Sequence, residues 1–254
     1  MKGGIIIPVY NHGKACVSVV EGLLQYNYPI ILIDDGNGTE TKEFLHQIIH
    51  SHPEVTLVTL QKNSGKGAAF IAGIKKALEM GITHALQVDA DGQHDISRTP
   101  FFFQKAEQYP EAMILGYPEF DATAPGHRKN GRKFANNWAR IVSFEPGIID
   151  SMCGFRIYPI QKISESFKWL CFSRRMGFDI DILVRLIWKG IPYLFFPVPV
   201  TYPSDGISNF HLVRDNARIS WVFTRLCIGM FFRLPWLTAK VLKRKRLHGH
   251  TAAF

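Results

Sequence analysis

The chain is poor in cysteine, and the four it has, Cys16, Cys153, Cys171 and Cys227, are scattered without a CxxC pair or a histidine at ligand spacing. That supports neither a zinc site nor a disulfide framework, and a reducing compartment is expected. Long apolar runs are missing as well. The opening MKGGIIIPVYN holds too short a run for a secretory signal, and no stretch approaches the ~20 apolar residues that a membrane-spanning helix needs. Acidic residues are scarce at the C-terminal end. From His211 onward there are nine Arg or Lys and a single acid, Asp215, so about +8 of the formal charge of +9 lies there. Residues 1–210 are close to neutral, which argues against a globally basic nucleic-acid binder and points to a tail that meets an anionic surface.

What remains is globular, with 46% hydrophobic and 20% charged residues over 254 positions. The β-branched runs "GIIIPV", "PIILID", "VTLVTL" and "HALQVD" alternate with helix-forming stretches at 14–25, 39–50 and 66–80. That alternation predicts an α/β fold with a mostly parallel central sheet flanked by helices. Further helices are predicted at 127–145 and 175–190, and "LFFPVPVTYP" reads as a late strand whose prolines confine it to a sheet edge. In 214–232, Arg214, Arg218 and Arg225 share one helical face and Ile219, Phe223, Leu226 and Met230 the opposite one. Followed by "KVLKRKR", this predicts an interfacial amphipathic helix, with Trp221 and Trp236 near its rim. The expected organisation is a domain over 1–210 and a basic, membrane-associating segment over 211–254.

The chemistry is concentrated where strands should end. In "LQVDADGQHD", Asp89 and Asp91 follow the fourth apolar run two residues apart, so both carboxylates project to one side of the emerging chain. Hard oxygen ligands so placed suit Mg²⁺ or Mn²⁺, which takes its remaining ligands from water and substrate phosphates. Asp34-Asp35-Gly36 closes the second run, where a carboxylate could accept from a nucleobase or ribose but is equally at home in a turn. "NSGKGAA" follows the third run and opens a helix, a place that attracts phosphate. It fits neither a Walker loop nor a dinucleotide fingerprint, which disfavours a kinase or a dehydrogenase.

Taken in order, "IPVYN", "IDDG", "NSGKGAA" and "VDADGQH" resemble the family 2 glycosyltransferases of GT-A fold, nearest the branch of polyprenyl-phosphate sugar transferases. The resemblance covers roughly residues 4–205. It implies that Pro8, Tyr10, Asp34, Asp35, Gly65, Lys66 and Asp89 lie around a nucleotide-sugar donor, and that Asp89, Asp91 and Gln93 hold the metal. In "DSMCGFRIY" it implies an acceptor-side role for Asp150, Gly154 and Arg156. In "MGFDIDILVRL" it matches Asp181 with the catalytic base. Asp179 and Asp181 are about 200° apart on a helix, so only one of them can face the reaction. In "YPSDGISNF", Pro203 and Asn209 stand where the branch tends to carry Arg and Lys.

The expectation is therefore an inverting glycosyltransferase, peripheral on the cytoplasmic face of a membrane. It would transfer a sugar to a hydroxyl on a lipid or lipid-linked glycan. Kept open beside it are a polyprenyl-phosphate acceptor, a sugar nucleotidyltransferase and a non-catalytic membrane scaffold.

Overall fold

Strand β1 (Gly3–Val9) is a β-branched run whose Ile5, Ile6 and Ile7 are all fully buried, so both of its faces are covered. The computed structural model describes residues 1–120, 126–167, 173–201 and 212–239. From β1 the chain alternates through α1 (Gly13–Leu24), β2 (Ile30–Asp34), α2 (Thr39–Ser51), β3 (Thr56–Thr59), α3 (Lys66–Glu79) and β4 (His84–Gln87). A short 3₁₀ turn leads to α4 (Thr99–Gln108), β5 (Met113–Phe120), α5 (Gly126–Ser143), β6 (Arg156–Pro159) and α6 (Ile160–Phe167). Helix α7 (Phe178–Trp188), β7 (Tyr193–Val200) and α8 (Leu212–Phe231) follow.

The seven strands form one sheet in the order β3-β2-β1-β4-β6-β5-β7. β1, β2, β3 and β4 pair in parallel, β6 runs antiparallel between β4 and β5, and β7 lies parallel to β5. The predicted α/β, mostly parallel sheet is what is observed, and proline-bearing β7 closes one edge as its composition demands. Strands β5 and β6 were not foreseen. Each interrupts the simple apolar pattern, β5 with Gly116 and Pro118 and β6 with Arg156 and Pro159.

The two faces of the sheet carry separate cores. Ile5, Ile7 and Leu32 point to α1, α2 and α4, where Val20, Leu23 and Phe102 meet them. Ile6, Ile31 and Ile33 point the other way, toward Phe70 and Ile74 of α3 and the buried side of α7.

Helix α8 belongs to this second core, which corrects the division at residue 211. Val222, Phe223 and Leu226 are buried in it, and Trp138 of α5 packs against Phe223 with ring centroids 6.2 Å apart. Ties to α7 run along the helix: a Cβ on Gly177 would lie 2.7 Å from Val222, Arg225 pairs with Asp181, and Arg233 stacks 4.9 Å over Trp188. The apolar face expected to enter a membrane is thus largely turned inward. Outward stand Trp221, Ile228, Phe231, Phe232 and Trp236, and α5, which packs against α8, likewise exposes Phe134 and Ile141. Among the described residues no helix is long and apolar enough to cross a membrane. The basic run 240–246 and the loop holding Pro203 and Asn209 lie outside the described residues.

Candidate active site

Parallel pairing brings the carboxyl ends of β1, β2 and β4 to one edge of the sheet, with Val9 opposite Asp34 and the Asp35 N–H bonded to the Val9 carbonyl at 3.0 Å. In α/β sheets that edge is where ligands bind. A cleft of about 480 Å³ opens there. Pro8, Tyr10, Asp35, Gly65, Lys66, Asp89 and Asp91, all singled out from the sequence, line it. Six others do not: Asp34 and Gln93, and further on Asp150, Gly154, Arg156 and Asp181. Asp34 turns away and accepts from the Asn37 N–H and side-chain amide at 2.8 and 2.7 Å, so of the two adjacent carboxylates only Asp35 faces the cleft. Gln93 is not among the lining residues, and its N–H donates to Asp91 at 3.1 Å. Asp181 is discussed below.

Asp35 shapes the loop between β3 and α3. Its two oxygens accept from the Ser64 and Gly65 N–H groups at 2.7 and 2.8 Å. Burial disfavours its charge and outweighs those bonds, which raises its pKa from the ordinary carboxylate value. Gly65 itself has φ +94°, and a Cβ there would collide with the Arg174 carbonyl at 2.4 Å, so only glycine allows the loop to pass.

Beneath the cleft floor Lys66 binds two carboxylates at once, Asp89 at 2.6 Å and Asp179 at 2.8 Å. Asp179 also accepts from Gln87 at 2.9 Å, and its backbone carbonyl accepts from fully buried Arg156 at 2.8 Å. Burial works against both charges, but Asp179 and Asp89 hold Lys66 above the usual lysine value, and Lys66, with His94 and Arg156, holds Asp89 below the usual carboxylate range. Gly154 backs Asp89 so tightly that a Cβ would lie 2.1 Å from Oδ2. The result is an anionic Asp89 fixed in place where it and Asp91 border the cleft.

A glycosyl transferase family 2 model matches residues 4–164, which hold these strand ends and the loops between them. The chain belongs to that family.

Its relatives include a dolichyl-phosphate beta-glucosyltransferase of Trichomonas vaginalis, 25% identical over 92% of this chain and 73% of that one. They also include a UDP-N-acetylglucosamine–dolichyl-phosphate N-acetylglucosaminyltransferase of Methanococcus voltae, 35% identical over 61% of this chain and 68% of that one. A third is a polyprenol monophosphomannose synthase of Mycolicibacterium smegmatis, 25% identical over 80% and 79%. Among solved structures, glucosyl-3-phosphoglycerate synthase from Mycobacterium tuberculosis, in complex with Mn²⁺, uridine-diphosphate-glucose and phosphoglyceric acid, shares the fold with a TM-score of 0.67 at 14% identity. That alignment covers 89% of this chain and 79% of that one. The family and the GT-A fold read from the motifs are both borne out, and membership of a glycosyltransferase family sets aside a nucleotidyltransferase.

In this glycosyltransferase Asp181 is fully buried and does not border the cleft. One oxygen accepts from Arg185 at 2.6 Å, the other from the Ser173 N–H at 2.5 Å and from Arg225 at 3.1 Å. A carboxylate so engaged joins α7 to α8; it has no lone pair directed at a substrate. Asp179, two positions earlier, does not border the cleft either but is bonded to Lys66, which does. The acceptor-side trio is likewise internal: Asp150 pairs with Arg132 and accepts from the Met152 and Cys153 N–H groups, Gly154 backs Asp89, and Arg156 supports Asp179. Lining residues outside the motifs come from elsewhere: His12 before α1, Arg175 before α7, and Arg214, Asp215 and Arg218 from α8. Arg214 and Arg218 had been assigned to a solvent or membrane face, because helical periodicity says which residues share a face and not what that face meets.

Proposed function

We propose that this glycosyltransferase moves a sugar from a nucleotide-diphosphate sugar to a polyprenyl phosphate held at a membrane surface. The observation that carries the donor half is the convergence of Asp35, Gly65, Lys66, Asp89 and Asp91 on one cleft at the strand ends. The relatives' names support a phosphate acceptor, in place of the hydroxyl inferred from Pro203 and Asn209. The interior position of Asp181 supports it too, since a phosphate oxygen is already largely ionised near neutral pH and needs no base.

The cleft also fits a divalent cation. Asp89 and Asp91 both border it, and one or two carboxylates are what Mg²⁺ or Mn²⁺ usually takes from a protein, with phosphates and water completing the shell. We assign these two as ligands and Gln93 as the residue whose N–H steadies Asp91. When bound, the cation would neutralise charge on the departing diphosphate. Lys66 keeps Asp89 anionic for that purpose and Asp35 fixes the 63–66 loop, while the Gly67 and Ala68 N–H groups at the start of α3 are taken by the Arg174 carbonyl. Pro8 and Tyr10 flank the nucleotide. The acceptor oxygen attacks C1 from the face opposite the diphosphate, inverting the anomeric centre, and positioning supplies much of the rate.

Membrane association rests on the outward aromatic face of α8 and α5, and on the basic run beyond it. The free, buried Cys16 and Cys153 suit the cytoplasmic face. The test is transfer from a panel of nucleotide sugars to a short polyprenyl phosphate with Mn²⁺. Turnover is expected, with loss of about a thousandfold or more in Asp91→Asn, because a neutral amide is a poor ligand for a hard cation. No product from any donor with this acceptor, or an Asp91→Asn variant as active as the parent, would overturn the reading.

A further inference from the structure

The cleft has two chemically different sides. Its carboxylates Asp35, Asp89 and Asp91 come from the strand ends, while three guanidinium groups, Arg175, Arg214 and Arg218, come from the segment before α7 and the first two turns of α8. Lys66 is committed to Asp89 and Asp179 and adds nothing free. Among the described lining residues, buried Asp215 is the carboxylate beside Arg218 and Arg214, at 3.0 and 3.9 Å, and Asp35 acts on the charge of Arg175. Arg214 and Arg218 against Asp215 leave one positive charge in excess among them, and Arg175 stands beside a carboxylate whose own charge burial disfavours. Cations in the first turns of a helix also oppose its dipole, so their position is unfavourable unless something anionic meets them.

We propose that Arg175, Arg214 and Arg218 form a phosphate subsite, and that the phosphate it takes is the acceptor's. This rests on the glycosyltransferase reading above and deepens it. A phosphate monoester, at about −1.5 to −2, is an anion that such a cluster attracts. The guanidinium groups retain donors for it: Arg218 uses one nitrogen on Asp215, Arg214 lies 3.9 Å from Asp215, and Arg175 is held by the Asn63 side chain at 2.7 Å, which orients it. The donor's diphosphate has the strand-end side, where Asp89 and Asp91 would hold its cation. Position on α8 decides between the two. Trp221 stands exposed about 10 Å along the helix from Arg214, at the start of the outward aromatic face. A lipid whose chain lies against that face brings its phosphate to the arginines, which a water-soluble nucleotide sugar has no reason to do.

The position of α8 depends on its ties to α7, so Asp181 is a positioning residue for this subsite through Arg225.

The experiment measures steady-state kinetics of Arg214→Gln and Arg218→Gln, with the Lys variants beside them, varying a short polyprenyl phosphate and the nucleotide sugar separately. Donor binding is followed independently by titrating the nucleotide sugar with Mn²⁺. Both arginines are partly exposed, and unchanged melting temperatures establish the fold. Each Gln variant should raise the acceptor KM at least about tenfold, with donor binding unchanged and partial recovery in the Lys variants. A rise in donor Kd with the acceptor KM unchanged would overturn the acceptor assignment and give the subsite to the diphosphate. Unchanged values for both would overturn the subsite. A wild-type enzyme that binds nucleotide sugar yet ignores every polyprenyl phosphate would overturn the acceptor reading itself, a result separate from either.

Discussion

The two sides of the cleft were built by different rules. On the strand-end side, each residue follows an apolar run by a few positions, so local sequence places it: a parallel strand ends, the chain turns, and the polar residue at the turn faces the ligand edge. On the α7–α8 side nothing local marks the residues. Arg214 and Arg218 reach the cleft because Val222, Phe223 and Leu226 dock α8 on the core of Phe70 and Ile74, more than a hundred residues earlier in sequence, and Arg175 is held there by Asn63. Long-range packing, rather than motif, makes that half. The comparison yields unequal consequences for substitution, since strand-end changes should strike chemistry and α7–α8 changes should strike stability and acceptor use.

The largest effect within this contrast is expected at Gly154, which lines nothing. A methyl group there would sit 2.1 Å from the Asp89 carboxylate, so Asp89 must move. A displacement near 1 Å can cost about a hundredfold in rate, and Gly154→Ala should lose that much in Mn²⁺-dependent turnover while its melting temperature changes little. Normal Mn²⁺ response in the variant would break the claim that Asp89 is held rigidly from behind.

Next come Asp179 and Asp181, which the structure sets apart. Asp181→Asn leaves Arg185 and Arg225 without their charge partner. Breaking a buried pair costs roughly 3–5 kcal/mol, and the partial exposure of Arg225 argues for about 3. In a chain of this length that corresponds to roughly 6–12 °C in melting temperature, with turnover of the folded fraction reduced through the acceptor KM. Asp179→Asn should instead lower turnover at near-normal stability, since it releases Lys66 toward Asp89 alone. Melting scans and kinetics on the pair would show the opposite order if Asp181 were the base.

These residues also mark where sequence reading stopped. The sheet, the strand-end residues that line the cleft and the edge position of β7 were legible, because strand alternation and the order of four motifs are local signals. Asp34 against Asp35 was not, since adjacent carboxylates are told apart only by what turns around them, here Asn37 for one and the Ser64 and Gly65 amides for the other. Helical geometry correctly said that Asp179 and Asp181 face different ways, but not which way is inward; the docking of α8 decides it. Strand β6 was hidden because its buried Arg156 reads as a loop residue until the Asp179 carbonyl is placed against it. The amphipathic pattern of α8 was real, and its apolar stripe met protein, leaving a third face to solvent.

The smallest effect should come from that third face, and it alone separates membrane capture from catalysis. Phe232 is 76% exposed and Phe231 67%, at the far end of α8 from the arginines. Replacing Phe232 by Ser removes apolar area that a lipid layer would cover, and at about 25 cal/mol per Å² the loss is on the order of 1–2 kcal/mol, or roughly tenfold in partition onto vesicles. Since Phe232 touches no part of the cleft, nucleotide-sugar binding in the absence of lipid should be unchanged, and so should the melting temperature. Salt should act differently, weakening the contribution of the basic run 240–246 and leaving the aromatic one intact. Removing everything after Ser208 would be a poor substitute, because it strips Val222, Phe223 and Leu226 from the core and unfolds what it means to test. Sedimentation with anionic vesicles at low and high salt gives the answer: Phe232→Ser that binds as the parent does under both conditions would show that α8 keeps its outward aromatics for something other than a membrane.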